Sequence, residues 1–253
     1  MNYRIIICTS GRASSIASMT LAMLEMDGYS FRDVLLIVDP RHWDAYAEAL
    51  KMTQWRRSMI PGAIGLRAQR NVATELCDEG ERVVSLDDDL RGFVRMVDHK
   101  TLVPESFRRI AARGFAACAR TGARLWGVYP VKNRGWMSGG FTVGVVFCVG
   151  WCWGVINDRK IRIDAPDGDK EDYERSIKYA AKFGCNVRLN DVTGNTNMFT
   201  EPGGLQGERT RKTRMESTMR MVRLYPAWLS VDGRRLADGR WELRLRDPRK
   251  KGK

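Results

Sequence analysis

Apolar runs and amphipathic runs alternate along this chain. Residues 4–10, RIIICTS, are apolar until two small polar residues close the run, which predicts a strand. A helical pattern follows at about 14–27. DVLLIVDP (33–40) predicts a second buried strand, stopped by Asp39-Pro40, and DAYAEALKM (44–52) a helix. RRSMIPG (56–62) reads as a short strand and turn. LRAQRNVATELCDEG (66–80) reads as a helix ending at Gly80, and RVVSLDDD (82–89) as a third buried strand. Strands apolar throughout, alternating with helices, indicate an α/β domain with a mostly parallel sheet flanked by helices.

The second half continues the pattern with more interruptions. Pro104 is expected to begin a helix running to about Thr121, followed by the strand RLWGVYPV (124–131). NRGWMSGG (133–140) is a Gly-rich loop. The uncharged stretch FTVGVVFCVGWCWGVI (141–156) is expected to supply two strands. GDKEDYERSIKYAAKFG (168–184) predicts a helix capped by Asp169 and stopped by Gly184. NVRLND (186–191) reads as a strand, and 193–208 as a long loop rich in Gly, Asn, Thr and Pro. A basic helix at about 209–224 and a segment containing Trp241 lead to the tail DPRKKGK.

Composition narrows the function classes. The 253 residues carry a formal net charge of +13, which points to a polyanionic partner, a nucleic acid or a nucleotide. Residues 207–253 hold 15 Lys/Arg and 6 Asp/Glu, so this end carries +9 of the total. That divides the chain into a near-neutral unit, 1–206, and a basic C-terminal helix and tail, 207–253, expected to pack on the same domain and contact the acceptor. The six cysteines form no C-x-x-C pair, so a zinc ribbon is not expected. They read as small buried hydrophobes in a reduced, cytoplasmic setting. The 141–156 stretch is short of the roughly 20 residues a membrane span needs, and no membrane partner is expected.

Candidate chemistry gathers at the strand ends, where open α/β sheets bind ligands. Thr9, Ser10 and Arg12 follow the first strand, Asp39 ends the second, and Asp87, Asp88 and Asp89 end the third. Carboxylates alternating on an extended segment suit a hard divalent cation, which takes oxygen ligands. A solvated acidic turn would leave the same pattern.

These motifs together resemble a glycosyltransferase of the GT-A (Rossmann-like) fold, as a single domain carrying a D-x-D metal motif. The resemblance runs over about residues 3–206. CTSGR (8–12) resembles the first-strand loop that cups the nucleoside, and Asp39 lies where such enzymes hold the base. GLRAQRN (65–71), with Arg67, Arg70 and Asn71, resembles the helix start common in these enzymes, and SLDDD (85–89) sits where the D-x-D belongs. The resemblance implies that Asp87 faces the ribose or a Mn²⁺ or Mg²⁺ ion and that Asp89 ligates the metal. It also implies a UDP-sugar donor. In KEDYE (170–174), Asp172 would be the general base for the acceptor hydroxyl, with Glu171 as its substitute. Acids in a first helical turn also favour the helix dipole, and Glu171–Arg175 and Glu174–Lys178 are ordinary i,i+4 pairs. In EPGGLQGERTRKTR (201–214), Gly203 and Gly204 would approach a diphosphate and Arg209 would meet its charge. A glycine turn before a solvated basic helix reads equally well. The late histidine often found as a metal ligand is missing. His42 and His99 are not suitably placed, so Asn195, Asn197, or phosphate and water would complete the shell.

A small GT-A-like enzyme with SLDDD, EDY and Gly203-Gly204…Arg209 resembles the phage TET/JBP-associated glycosyltransferases. These add sugar to 5-hydroxymethylcytosine in DNA, which implies a DNA acceptor in a phage-infected host cytoplasm and a flipped target base. A carbohydrate or protein acceptor, nucleotidyl transfer, and nucleic-acid binding without catalysis stay open.

Overall fold

The computed structural model describes residues 3–99, 101–165, 170–195, 210–235 and 241–250. Strands β1 (Arg4–Thr9), β2 (Val34–Val38), β3 (Met59–Pro61) and β4 (Arg82–Leu86) form the parallel half of an eight-stranded sheet. The sheet order is β3-β2-β1-β4-β9-β7-β10-β8. In its second half β7 (Leu125–Val128) and β10 (Asn186–Leu189) are parallel, while β8 (Phe141–Gly144) and β9 (Cys152–Ile156) run antiparallel to their neighbours. The helices are α1 (Thr20–Met26), α2 (Trp43–Ala49), α3 (Leu66–Leu76), α4 (Phe107–Thr121), α5 (Glu171–Phe183) and α6 (Arg211–Leu224). A small antiparallel sheet joins β5 (Phe93–Met96) to β6 (Leu102–Glu105) and β11 (Val192–Gly194), and β12 (Leu229–Arg235) pairs with β13 (Trp241–Leu245).

The strands are apolar throughout because both faces of the sheet are covered. Side chains of a strand alternate between faces. Ile5 and Ile7 of β1 accordingly join the core under α1 and α4, with Leu21, Leu24, Ile110 and Phe115. Ile6 and Cys8 join the core under α3 and α5, with Ala73, Cys77 and Tyr179. A third cluster, Ile177, Met221, Leu229 and Leu243, packs α6 and the β12–β13 hairpin onto α5. Trp126 is fully buried, and two glycines make room for it. A Cβ on Gly114 of α4, or on Gly154 of β9, would lie 2.3 Å from the indole.

Several boundaries differ from the sequence expectations. Pro104 lies within β6, an edge strand where its missing N–H costs no ladder bond, and the helix starts at Phe107. Helix α3 stops at Leu76, not Gly80. Cys77 turns extended, and the Gly80 amide donates to the carbonyl of Asn157. The residue before α5 is Lys170, without a side-chain cap, and Asp169 lies outside the described residues. Gly184 does end α5, at φ +89°, a backbone angle that favours glycine. Residues 192–194, expected at the edge of a loop, form β11.

Candidate active site

The register aligns the ends of the first strands. Thr9 stands beside Val38, and Ile7 beside Leu86, so the residues that follow β1, β2 and β4 emerge on one edge. Past Leu86 the chain leaves the strand and turns, which sends the three aspartates in different directions.

Asp88 points inward. It is buried, and its carboxylate accepts from Thr9 Oγ1 and from Arg12 Nη1. Burial pushes its carboxyl up, with Arg12 and Thr9 offsetting part of that. Arg12 has burial working against its charge, but Asp88 and Asp89 outweigh it and raise its pKa. This inner pair holds the β1 loop to the acidic turn. Tyr46 braces the same loop, its hydroxyl accepting from the Arg12 amide at 2.9 Å. Thr20 Oγ1 donates to the Asp87 carbonyl at 2.8 Å and accepts from the Leu90 amide at 2.9 Å.

Asp87 is the most open of the three, and Asp89 is buried beside it. The Asp87 side chain is 38% exposed. Asp89 Oδ2 lies 3.2 Å from Arg12 Nη1, a guanidinium shared with Asp88. Burial first, and then the charge of Asp87, push the Asp89 carboxyl up to about 6. Asp89, which shares its arginine with Asp88 and has the charge of Asp87 close by, is a carboxylate that a hard cation would relieve. Among the described residues no group of three or more His, Cys, Asp or Glu is arranged to hold a metal. The protein would therefore offer Asp87 and Asp89, with phosphate and water oxygens supplying the remaining ligands. Asn195 Oδ1 accepts from Lys132 Nζ at 3.1 Å, and Asn197 lies outside the described residues.

Arg70 joins this turn to the start of α5. Its Nη2 donates to Asp87 Oδ1 at 2.9 Å and to the Gly150 carbonyl at 3.2 Å. Its Nε lies 3.5 Å from Glu171 Oε1, and Glu171 also accepts from Arg175 Nη1. Glu171 is thus buried between two guanidiniums, and Asp172 beside it is half-buried. Burial first, and then the neighbouring Glu171 charge, push it up to about 6. Its Oδ1 accepts from the Tyr173 amide at 3.0 Å. A Cβ on Gly150 would sit 3.2 Å from Glu171 Oε1 and 3.5 Å from Asp172 Oδ2, so glycine keeps this approach open. The Asp87 amide donates to the carbonyl of the next residue, Trp151, at 3.0 Å. One antiparallel strand entry therefore touches both the acidic turn and the EDY helix start.

The other candidate residues are placed differently. Asp39 is buried at the sheet edge, where Arg41 donates from its amide, Nε and Nη2, and Ser10 Oγ donates at 3.2 Å. The Arg41 side chain holds its pKa below the ordinary carboxylate value. Arg67 is exposed and reaches the Asp164 carbonyl at 3.4 Å. Asn71 clamps the backbone of Ile163 through both amide atoms, at 2.9 and 2.8 Å. Gly203, Gly204 and Arg209 lie outside the described residues. Thr20, Tyr46, Gly150 and Arg175 were not singled out as site residues from sequence. Only Arg175 left a signal there, as the i+4 partner of Glu171.

No family model matches the sequence, and no curated protein does. Solved structures do match in three dimensions. Residues 1–349 of TarS from S. aureus, in complex with UDP-GlcNAc, superimpose with a TM-score of 0.54 at 14% identity, over 88% of this chain and 67% of that one. The mannosyltransferase PcManGT from Pyrobaculum calidifontis, in complex with GDP-Man and Mn²⁺, gives 0.59 at 12% identity, over 89% of this chain and 63% of that one. The fold is GT-A-like. The chain spans about two thirds of the length of these two structures. The GT-A expectation is met at the level of fold, with antiparallel β9 and β8 as the departures from a parallel sheet. No described helix is long and apolar enough to cross a membrane.

Proposed function

We propose that this protein is a metal-dependent glycosyltransferase that uses a nucleotide-sugar donor. The observation that carries the proposal is the convergence at one sheet edge of the Asp87–Asp89 turn, the β1 loop and Asp172, joined through Arg70. The two matched structures hold UDP-GlcNAc and GDP-Man, the latter with Mn²⁺, which supports a nucleoside diphosphate sugar and a divalent metal here. Thr9, Ser10, Arg12 and Asp39 border the nucleoside side of that edge. Asp87 and Asp89 would hold Mn²⁺ or Mg²⁺, whose charge would offset that of the departing diphosphate. Asp172 takes the proton from the acceptor hydroxyl. A carboxylate with a pKa near 6 is ionised at neutral pH, yet is a stronger base than an exposed one.

For the acceptor we propose 5-hydroxymethylcytosine in DNA. Its support is the +9 carried by residues 207–253, together with a groove beside the 133–140 loop. That groove, about 820 Å³, is lined by His99, Lys132 and Arg134, with no carboxylate among its lining residues. Trp136, next to it, is 68% exposed. Cations that meet phosphate beside an aromatic that stacks on bases suit a nucleic-acid strand.

The test has two stages. The protein is incubated with UDP- and GDP-sugars and Mn²⁺, and release of the nucleoside diphosphate is measured. Hydrolysis that EDTA stops supports the enzyme, and no turnover of any donor overturns it. Hydroxymethylated DNA is then added and weighed by mass spectrometry. Donor hydrolysis without a hexose or N-acetylhexosamine shift overturns the DNA acceptor alone.

A further inference from the structure

A cleft on the sheet face between α3 and α5 contains a cavity of about 30 Å³. It lies over the middle of the sheet, against Ile6, Val83 and Val155, below the strand edge that carries the candidate active site. Arg70 and Arg175 line it with Trp153. These three side chains hold four buried N–H groups without a hydrogen-bond acceptor among the described residues. They are Arg175 Nε, Arg175 Nη2, Trp153 Nε1 and Arg70 Nε, the last 3.5 Å from Glu171 Oε1 but without hydrogen-bond geometry. All three residues are more than nine-tenths buried.

We propose that this cavity binds a small monovalent anion of about chloride size, held by the Arg70 and Arg175 guanidiniums and the Trp153 indole N–H. Charge is the first argument. No carboxylate lines the cavity; Arg70 pairs outside it with Asp87 and Glu171, and Arg175 shares that same Glu171. A buried cation without full pairing is costly. Burial does lower the pKa of Arg175, even with Glu171 alongside. Donor count is the second argument. A water accepts two hydrogen bonds and must place two protons of its own, whereas a halide accepts from every side. Size is the third. A cavity needs roughly 10–15 Å³ for one water, so about 30 Å³ suits one halide or two waters. The site is also held in shape. Arg175 stacks over the Trp153 ring with its guanidinium carbon 3.8 Å from the centroid, and Arg70 is fixed by Ser85, Asp87 and Gly150.

The experiment measures thermal unfolding at fixed ionic strength and pH 7 in sodium chloride, bromide and gluconate, the last too large to enter. Halide binding is expected to raise Tm by about 2–4 °C over gluconate. Arg175→Lys keeps the charge facing Glu171 but gives up the unpartnered donors, and is expected to lose the difference. Trp153→Phe, which removes one neutral donor, is expected to reduce it and serves if the first variant does not fold. Crystals grown in bromide should show an anomalous peak between the two guanidiniums. Equal melting in the three salts, a difference unchanged in the variants, or a cavity filled by water without anomalous signal would each overturn the proposal.

Discussion

Replacing Asp172 with Asn separates what the residue does for chemistry from what it does to the fold. The folded environment raises this carboxyl from 3.8 to about 6, chiefly through burial and then through Glu171. Each unit is worth about 1.4 kcal/mol, so the ionised form costs the fold up to about 3 kcal/mol, and about 1–3 after allowing for its partial exposure. The sign follows from linkage. The folded pKa lies above the unfolded one, so the cost is absent below about pH 4, grows between 4 and 6, and is complete above 6. Asn removes the charge and keeps an oxygen for the Tyr173 amide. Asp172→Asn is therefore expected to be more stable than the parent by about 1–3 kcal/mol at pH 7, with the difference closing toward pH 4. Urea unfolding at the two pH values measures this. Transfer activity is expected to fall by about 100-fold or more in the variant, and parent activity to fall as pH drops through about 6. A variant less stable than the parent at pH 7 would refute the burial argument. A variant that keeps its activity would refute the base.

Other perturbations test the remaining structure. Arg70→Met leaves Asp87 and buried Glu171 without their shared cation and should cost about 3–5 kcal/mol, read by guanidinium unfolding. Gly114→Ala and Gly154→Ala each drive a methyl against the Trp126 indole. Each should lose about 3 kcal/mol and change the near-ultraviolet circular dichroism, because neither helix α4 nor strand β9 can retreat cheaply. Asp89→Asn is expected to lower Mn²⁺-dependent donor hydrolysis by about 100-fold while leaving the melting temperature unchanged or higher, since it removes a carboxylate held near 6. Lys132→Glu with Arg134→Glu should weaken DNA binding and flatten its salt dependence, measured by fluorescence anisotropy, while donor hydrolysis persists.

The first half of the fold was legible because its signals are local. Each buried parallel strand is a continuous apolar run, and each ends in polar residues that cannot stay in the core, so β1, β2 and β4 announce both themselves and their functional ends. The same logic located Gly184 at the end of α5. Pro104 misled because proline at a helix start and proline in an edge strand look identical without the neighbouring strand. The candidate residues could be picked out by type and position, but their partners could not. Asp87, Asp88 and Asp89 are chemically identical in the sequence, and only the turn after Leu86 gives them different partners. Nothing local to Glu171 says that a guanidinium one hundred and one residues earlier, on Arg70, will reach it. Thr20 supports the acidic turn and Tyr46 the β1 loop through single hydroxyls, and neither has a sequence context that marks it.

That distribution of partners explains how three adjacent acids are tolerated. Asp88 is matched from below by Arg12 and Thr9, and Asp87 from the side by Arg70. Among the described residues Asp89 has only the shared charge of Arg12, at 3.2 Å, and its carboxyl rises to about 6. Two of the three are thus paired directly, and the third, buried beside the more exposed Asp87, shares its arginine. A fourth acid is treated the same way across Arg70. Glu171 is matched by two arginines, and Asp172 beside it is left high. In each pair one carboxylate is matched by arginine and its neighbour is held high, which is what the proposed metal and base roles of Asp89 and Asp172 would use. Because Arg70 serves Asp87 and Glu171 at once, a change in either partner alters the field at the other.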